Sequence, residues 1–186
     1  MILALCECPD GVETGAGTHV VYDVERNEAR RGAAHVDGIA LVWQLAANAE
    51  ALVTLCHKGF RALEVEVSLD AAVDWIVRCD RVDFPAGGVA YRHVHPGPGI
   101  RRILHGELTI DRGDGDTRTY RAGESWHEGA DEPVLATASA TEDTAFVRVL
   151  VLPAEWAGRR TIRYVDPADE DMPQLQRATV LLEAPL

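Results

Sequence analysis

Two histidines separated by a single residue are the first feature of this sequence whose type and spacing could do chemistry. His93 and His95 flank Val94 in the β-branched and aromatic run Val89–His95. Alternate side chains of a β-strand point to the same face, so the two imidazoles would lie about 7 Å apart on one face. Neutral imidazoles placed in this way can bind one divalent metal ion. The pair predicts a metal site, and two histidines hydrogen-bonded within a core are the structural alternative.

Two further residues lie near this pair by the same alternation. Tyr91 falls on the predicted face of the histidines, and Arg101 follows the loop of residues 96–99 on the returning strand. A buried guanidinium beside two imidazoles disfavours a dication and favours an anion such as a carboxylate. We therefore predict that Tyr91 and Arg101 bind a ligand, and a surface ion pair is the alternative for Arg101.

The other charged and aromatic residues of this region are assigned structural positions. We expect rim or solvated positions for Arg102, His105 and Arg148, and core positions for Trp75, Trp126 and Phe146.

Short strands must position these residues. From Trp75 onward, β-rich runs alternate with turns of Gly, Pro and Asp, and seven such runs are Trp75–Phe84, Val89–His95, Arg101–Asp111, Arg118–Arg121, Glu124–Glu128, Val134–Ala138 and Ala145–Leu152. Strands at this spacing leave little room for helices and indicate an antiparallel sandwich or barrel.

The N-terminal part of the chain is expected to contain a helix. Apolar residues recur at steps of three and four over residues 37–59, which places them along one stripe of a helix. Asp37 would cap this helix and Gly59 would end it; two buried strands are the alternative. Further strands are predicted at His19–Glu25, Arg61–Leu69 and Ala178–Leu182.

These patterns divide the chain into three parts. We predict an N-terminal extension that packs on the barrel (residues 1–74), the barrel itself (residues 75–165), and a C-terminal tail or strand (residues 166–186).

Composition limits the classes of partner. The 186 residues include 18 Lys and Arg against 30 Asp and Glu, a net charge of −12, which does not suit binding to nucleic acid or to anionic membranes. No apolar run approaches the roughly 20 residues of a membrane-spanning helix, and the start of the chain does not resemble a signal peptide. We expect a cytoplasmic protein with no nucleic-acid or membrane partner, whose four cysteines are free thiols.

The glycine frame around the two histidines resembles the first motif of the cupin superfamily. Gly87, His93, His95, Gly99 and Gly106 have the spacing of G-x5-H-x-H-x3-E-x6-G, with Gly99 at the position of the glutamate. The resemblance covers roughly residues 75–155. It implies a mainly β fold, a cupin-type double-stranded β-helix (jelly-roll barrel), and one divalent ion of Fe, Mn, Ni or Zn as the possible cofactor.

The second motif of that superfamily, similar to G-x5-P-x-G-x2-H-x3-N, is degenerate in this chain. Gly123 is present, but Val134 stands where the pattern has histidine. Two of the usual four ligands are therefore missing, and two ligands alone bind a divalent ion weakly. Glu128 could complete the site, because strand alternation places it on the inner face with Trp126. Two histidines and one carboxylate form an open ligand set for iron or zinc.

Three functions remain open at this stage. In the first, the protein binds a small polar or acidic molecule, with Tyr91, Arg101 and Trp126 as contacts and no assignable reaction. In the second, it is a metal-dependent enzyme of the dioxygenase or isomerase type, and His93, His95 and Glu128 hold the metal. In the third, it is a scaffold for self-association. Because unpaired edge strands tend to pair with another chain, we predict a homodimer.

Overall fold

The computed structural model describes residues 1–52 and 59–186, and this part of the chain is mainly β. Its strands are β1 (Ile2–Cys8), β2 (Val12–Thr14), β3 (Val20–Asp23), β4 (Glu28–Arg31), β5 (Ala34–Val36), β6 (Ala40–Ala46), β7 (Phe60–Glu66), β8 (Trp75–Phe84), β9 (Val89–Val94), β10 (Gly99–His105), β11 (Glu107–Asp111), β12 (Thr117–Arg121), β13 (Ser125–Glu128), β14 (Val134–Ala138), β15 (Thr144–Pro153), β16 (Arg163–Tyr164) and β17 (Arg177–Pro185). Short 3₁₀ turns occupy Ala49–Ala51, Ala154–Trp156 and Pro167–Asp171.

Two antiparallel sheets form the barrel. One has the strand order β13-β10-β15-β8-β17 and the other β12-β11-β14-β9-β16. Their facing sides share one apolar core, which includes Phe84, Leu108, Ile110, Trp126 and Phe146. The antiparallel sandwich or barrel predicted from the strand pattern is therefore present.

The predicted run 101–111 is divided into β10 and β11 at Gly106. This residue has a φ of +72°, and a Cβ atom added to it would lie 2.5 Å from the carbonyl oxygen of Asp143. Only glycine adopts this backbone conformation and tolerates so close an approach at low cost. The division of the predicted run into β10 and β11, which the sequence pattern alone did not show, therefore depends on Gly106.

The N-terminal residues form a third sheet, with the order β4-β3-β6-β1-β7. It packs on the outer face of the barrel, where Leu5, Tyr22 and Trp43 share a core with Cys79 and Val149. The indole Nε1 of Trp43 donates a hydrogen bond of 3.2 Å to a backbone carbonyl oxygen of β10. Both faces of β8 and β15 are therefore buried.

The helix predicted over residues 37–59 is wrong. Residues 40–46 form β6, and no α-helix occurs in residues 1–52 or 59–186; positions 53–58 of the prediction lie outside the described residues. In β6, Leu41 and Trp43 face the barrel, whereas Ala40 and Val42 belong to the apolar cluster that includes residues of the β2–β5 pair. A strand buried on both faces lacks alternation of polar and apolar residues, so its sequence can imitate a helical stripe.

The prediction of four free thiols is also wrong. Cys8 is disulfide-bonded, Cys6 and Cys79 are free, and Cys56 lies outside the described residues. Burial raises the pKa of Cys79, so this thiol stays protonated. In the described part of the chain, no helix is both long and apolar enough to cross a membrane.

Candidate ligand-binding site

A cavity of about 280 Å³ lies between the two barrel sheets, and its wall has a polar half and an apolar half. The strand register separates the two halves. Val82 pairs with Phe146 near one end of the sheet, whereas Asp80 pairs with Arg148 further along the same two strands. The cavity is therefore amphiphilic along its length.

His93 and His95 both line the polar half of this cavity. Their ring centroids lie 5.0 Å apart in an edge-to-face arrangement. The Nδ1 atom of His93 lies 2.7 Å from the carbonyl oxygen of Tyr91, so this nitrogen carries the proton and donates. The Nε2 atom of His93 then has a lone pair and makes no hydrogen bond within the described residues.

His95 is engaged through both of its ring nitrogens. Nδ1 lies 3.3 Å from the carbonyl oxygen of Thr161 and donates to it, and Nε2 lies 3.1 Å from Nη1 of Arg148 and accepts from it. Burial lowers the pKa of His95 well below its usual range, and the charge of Arg148 lowers it further. Burial also lowers the pKa of His93. Both imidazoles are therefore neutral at pH 7.

Tyr91 does not line the cavity, so the expectation that it shares a face with the histidines is wrong. A register shift in the pairing of β9 with β14 separates His93, opposite Val134, from Ala90, opposite Ala136. Because of this irregularity, Ala90 rather than Tyr91 points inward with His93. Tyr91 contributes its backbone carbonyl oxygen, which orients the His93 ring.

Arg101 and Glu128 form a buried ion pair in the cavity wall. Nη2 of Arg101 lies 2.5 Å from Oε2 of Glu128, and Nη1 donates to the carbonyl oxygen of Gly99 at 2.6 Å. The other carboxylate oxygen of Glu128 accepts from the indole Nε1 of Trp126 at 2.7 Å. Burial alone would raise the pKa of Glu128, but Arg101, His93 and the Trp126 hydrogen bond lower it overall. Burial lowers the pKa of Arg101 to about 10, so both groups are charged at pH 7.

Arg148 lines the cavity, which corrects the expectation that it lies at the rim. It donates to Oδ2 of Asp80 from Nε at 3.1 Å and from Nη2 at 2.9 Å. Asp80 is completely buried and also accepts from Arg78 at 3.0 Å. One sequence feature could have indicated that Arg148 is buried: it is a single arginine within the otherwise apolar strand β15. When both faces of a strand are buried, a charged side chain on it cannot reach solvent.

The rim or solvated position expected for Arg102 is wrong as well. It is buried on the outer face of the barrel and forms an ion pair with Glu7 of β1, so it joins the N-terminal sheet to the barrel. His105 is exposed, as expected.

The charges of the cavity wall are mainly positive. Four arginines line it (Arg78, Arg101, Arg148 and Arg160) against the single carboxylate of Glu128, and Asp80 lies directly behind two of them. This excess of positive charge occurs in a protein whose net charge is −12. The site therefore favours an anion over a cation.

The segment of residues 159–176, here called the strap, contains β16 and leads into β17. These are the edge strands of the two barrel sheets, and Thr161, Ile162, Gln174 and Gln176 of the strap line the cavity. Arg78 donates to the carbonyl oxygen of Arg159 at 2.6 Å, and His95 donates to that of Thr161. Residues of the polar half thus hold the start of the strap in place.

The donor atoms do not fit a divalent metal ion. Nε2 of His95 accepts from a guanidinium, the carboxylate of Glu128 is paired with Arg101 and Trp126, and the described residues contain no cluster of three or more His, Cys, Asp or Glu able to hold a metal. A glutamate at position 99 would not be accommodated, because a Cβ atom there would lie 2.4 Å from the carbonyl oxygen of Val149. Two adjacent guanidinium groups would also repel a dication.

Comparisons with known proteins identify the barrel region. Residues 80–149, which run from β8 to β15, match the family described as Cupin domain. Similar solved structures include a recombinant oxalate oxidase in complex with glycolate, at 25% identity and a TM-score of 0.40, over 48% of this chain and 46% of that chain. They also include a polyketide cyclase from Streptomyces resistomycificus, at 20% identity and a TM-score of 0.40, over 57% of this chain and 74% of that chain.

A third similar structure is a deletion mutant of Bacillus subtilis oxalate decarboxylase, at 10% identity and a TM-score of 0.43, over 92% of this chain and 70% of that chain. The match to an oxalate oxidase with glycolate as substrate analogue spans 47% of that chain, about half its length. No curated protein matches the chain in sequence.

Proposed function

We propose that the barrel, whose residues 80–149 match the Cupin domain family, binds a small organic carboxylate without a metal ion. The observation that carries this proposal is the contact between Arg148 and His95. The Nε2 atom of His95, which would coordinate a metal, accepts a hydrogen bond of 3.1 Å from a guanidinium nitrogen. The guanidinium of Arg148 thus supplies positive charge at the nitrogen atom that would otherwise coordinate a metal ion.

The two halves of the cavity match the two parts of such a ligand. Guanidinium groups bind carboxylates through charge-assisted hydrogen bonds, and buried ones do so in a medium of low dielectric constant. The apolar half offers Phe84, Trp126 and Phe146, with the Trp126 and Phe146 rings 5.3 Å apart at a steep angle. A cavity of about 280 Å³ has the volume of ~9 water molecules at ~30 Å³ each, which suits a compact acid.

A thermal-shift titration with one acid and its uncharged analogue tests this proposal. 3-Phenylpropanoate and its primary amide have almost the same shape and differ in charge. A ligand at 100 times its Kd adds about 2.7 kcal/mol to the free energy of unfolding, and for a protein of this length 1 kcal/mol moves Tm by about 2–4 °C. We therefore expect the acid to raise Tm by about 5–10 °C, in chelator as in plain buffer, and the amide to have little effect.

Matched arginine variants show whether the stabilisation arises in the cavity. Arg101→Met should abolish the acid-dependent shift, whereas Arg118→Met, an exposed position on β12, should leave it unchanged. The proposal is wrong if acid and amide act alike, or if chelation removes the shift and a divalent metal restores it.

The alternative of a metal-dependent enzyme would require two rearrangements. His95 would have to leave Arg148, and Glu128 would have to leave Arg101, which exposes two buried arginines to a bound dication. The predicted homodimer remains a proposal. A light-scattering mass near twice 20.3 kDa would support it, and a mass near 20.3 kDa would contradict it.

A further inference from the structure

We propose that the bound acid carries a hydroxyl group on the carbon next to its carboxylate, and that Nε2 of His93 accepts a hydrogen bond from this hydroxyl. The inference rests on the proposed function and narrows the ligand from a small carboxylate to a 2-hydroxy acid. It depends on one acceptor and one donor of the polar half of the cavity that have no partner in the described residues.

The acceptor belongs to the ring of His93. Its Nδ1 atom donates to the carbonyl oxygen of Tyr91 at 2.7 Å, so Nε2 of the neutral ring carries a lone pair. In the described residues this nitrogen has no hydrogen-bond partner, and it is not one of the side-chain atoms that are both buried and without a partner. Nε2 therefore has surface open to the cavity that His93 lines, and a ligand atom can reach it.

The donor belongs to the guanidinium of Arg148, which has five N–H groups. The N–H of Nε and one N–H of Nη2 are donated to Oδ2 of Asp80, and the second N–H of Nη2 is donated to Oγ1 of Thr161 at 3.4 Å. One N–H of Nη1 is donated to Nε2 of His95, and the other has no acceptor in the described residues. Because the Arg148 side chain is 8% exposed and lines the cavity, a ligand carboxylate can approach it.

His95 contacts both groups and keeps them close together. Its ring centroid lies 5.0 Å from that of His93, and its Nε2 lies 3.1 Å from Nη1 of Arg148. A ligand that meets both groups must therefore carry its own donor close to its carboxylate, and a 2-hydroxy acid has the two on adjacent carbons. The carboxylate of Glu128, a second acceptor on this wall, is already engaged by an ion pair and a hydrogen bond. A hydroxyl suits the position better than an ammonium group, because four arginines line the cavity.

Calorimetric titration with three acids of similar shape tests this inference. 3-Phenyllactate carries the hydroxyl, 2-methyl-3-phenylpropanoate replaces it by a methyl group of similar size, and phenylalanine replaces it by an ammonium group. The enantiomers are titrated separately, because the hydroxyl must point to Nε2 of His93 while the carboxylate meets Arg148. We expect the wild-type protein to bind the better enantiomer of 3-phenyllactate about 3–10-fold more tightly than the methyl acid of matching geometry, since a neutral hydrogen bond contributes a factor of that order. Phenylalanine should bind more weakly than 3-phenyllactate.

Three histidine variants show whether the preference arises at His93. His93→Phe keeps a ring and removes the acceptor, so the preference for the hydroxyl should disappear. His93→Gln can present an amide oxygen and should keep a preference of the same sign, which also serves if His93→Phe does not fold. His105→Phe, at an exposed position, should bind like the wild type.

Two kinds of failure can be distinguished. The inference is overturned if the wild type binds the hydroxyl and methyl acids equally, if phenylalanine binds as tightly as 3-phenyllactate, or if His93→Phe folds and retains the preference. If neither these acids nor 3-phenylpropanoate binds, the proposed function itself fails, and this result is distinct from equal binding of the acids.

Discussion

Replacing Arg101 by Met tests whether the charges of the cavity neutralise one another. The substitution removes the guanidinium that lies 2.5 Å from Glu128 and leaves that carboxylate buried, with the Trp126 indole as its remaining hydrogen-bond donor. A side chain of similar length keeps most of the volume filled. The variant therefore isolates the effect of an unpaired charge.

The expected loss of stability is large. Removing one partner of a buried ion pair costs about 3–5 kcal/mol, which lowers Tm by about 6–20 °C for a protein of this length. Glu128→Gln in the Arg101→Met background removes the charge and keeps an oxygen for the Trp126 indole, so most of the loss should be recovered. In Arg101→Met alone, the pKa of Glu128 rises because the main group that lowers it is absent. The folded pKa then exceeds the unfolded one, so the loss is small at low pH and grows as pH rises through the folded pKa.

Denaturant unfolding of the wild type, both single variants and the double variant gives a double-mutant cycle. We expect a coupling free energy of about 2 kcal/mol or more between Arg101 and Glu128. Additive effects within ~0.5 kcal/mol, with a cost below ~1 kcal/mol for Arg101→Met, would refute the reasoning. Glu128 would then be free to serve as a metal ligand.

Two other predictions concern the neighbouring residues. Burial lowers the pKa of His93, and burial with an adjacent positive charge lowers that of His95. Below a pH of about 6.5 the unfolded chain therefore binds more protons than the folded one, and the free energy of unfolding falls by up to ~1.4 kcal/mol per pH unit for each histidine. Unfolding titrations at pH 7.5 and 5.5 should show this fall, His95→Asn should reduce it, and an unchanged fall in that variant would contradict the prediction. Gly99→Ala should lower the free energy of unfolding by about 1–3 kcal/mol, because the added Cβ would lie 2.4 Å from the carbonyl oxygen of Val149. Gly15→Ala, in open space, should lower it by under ~0.5 kcal/mol. Equal melting temperatures of the two variants would disprove the steric argument.

The barrel strands could be predicted from the sequence because their turns are strongly marked. β8 and β14 have the bounds that alternation and flanking Gly, Pro and Asp residues gave. The N-terminal sheet could be predicted only in part: the strands predicted at His19–Glu25 and Arg61–Leu69 correspond to β3 and β7, whereas β6 was predicted as a helix. β6 is buried on both faces, and continuous burial erases the alternation on which a strand prediction depends.

The candidate site was predictable in part for similar reasons. Regular alternation places His93 with His95 and Trp126 with Glu128 on the cavity wall. It failed at Tyr91, because an irregularity in strand pairing depends on the partner strand and leaves no mark in the local sequence. The pairing of Arg101 with Glu128 and of Arg148 with His95 and Asp80 joins residues distant in the chain, which a local pattern does not show.

Calorimetric titration of 3-phenylpropanoate into chelator-treated protein, with metal content measured on the same sample, tests the central claim most directly. We predict binding of one acid per chain to metal-free protein, unchanged when Zn²⁺, Fe²⁺, Mn²⁺ or Ni²⁺ is added. The contradicting result is an absence of binding until one equivalent of metal is added, with that metal lost in both His93→Ala and His95→Ala.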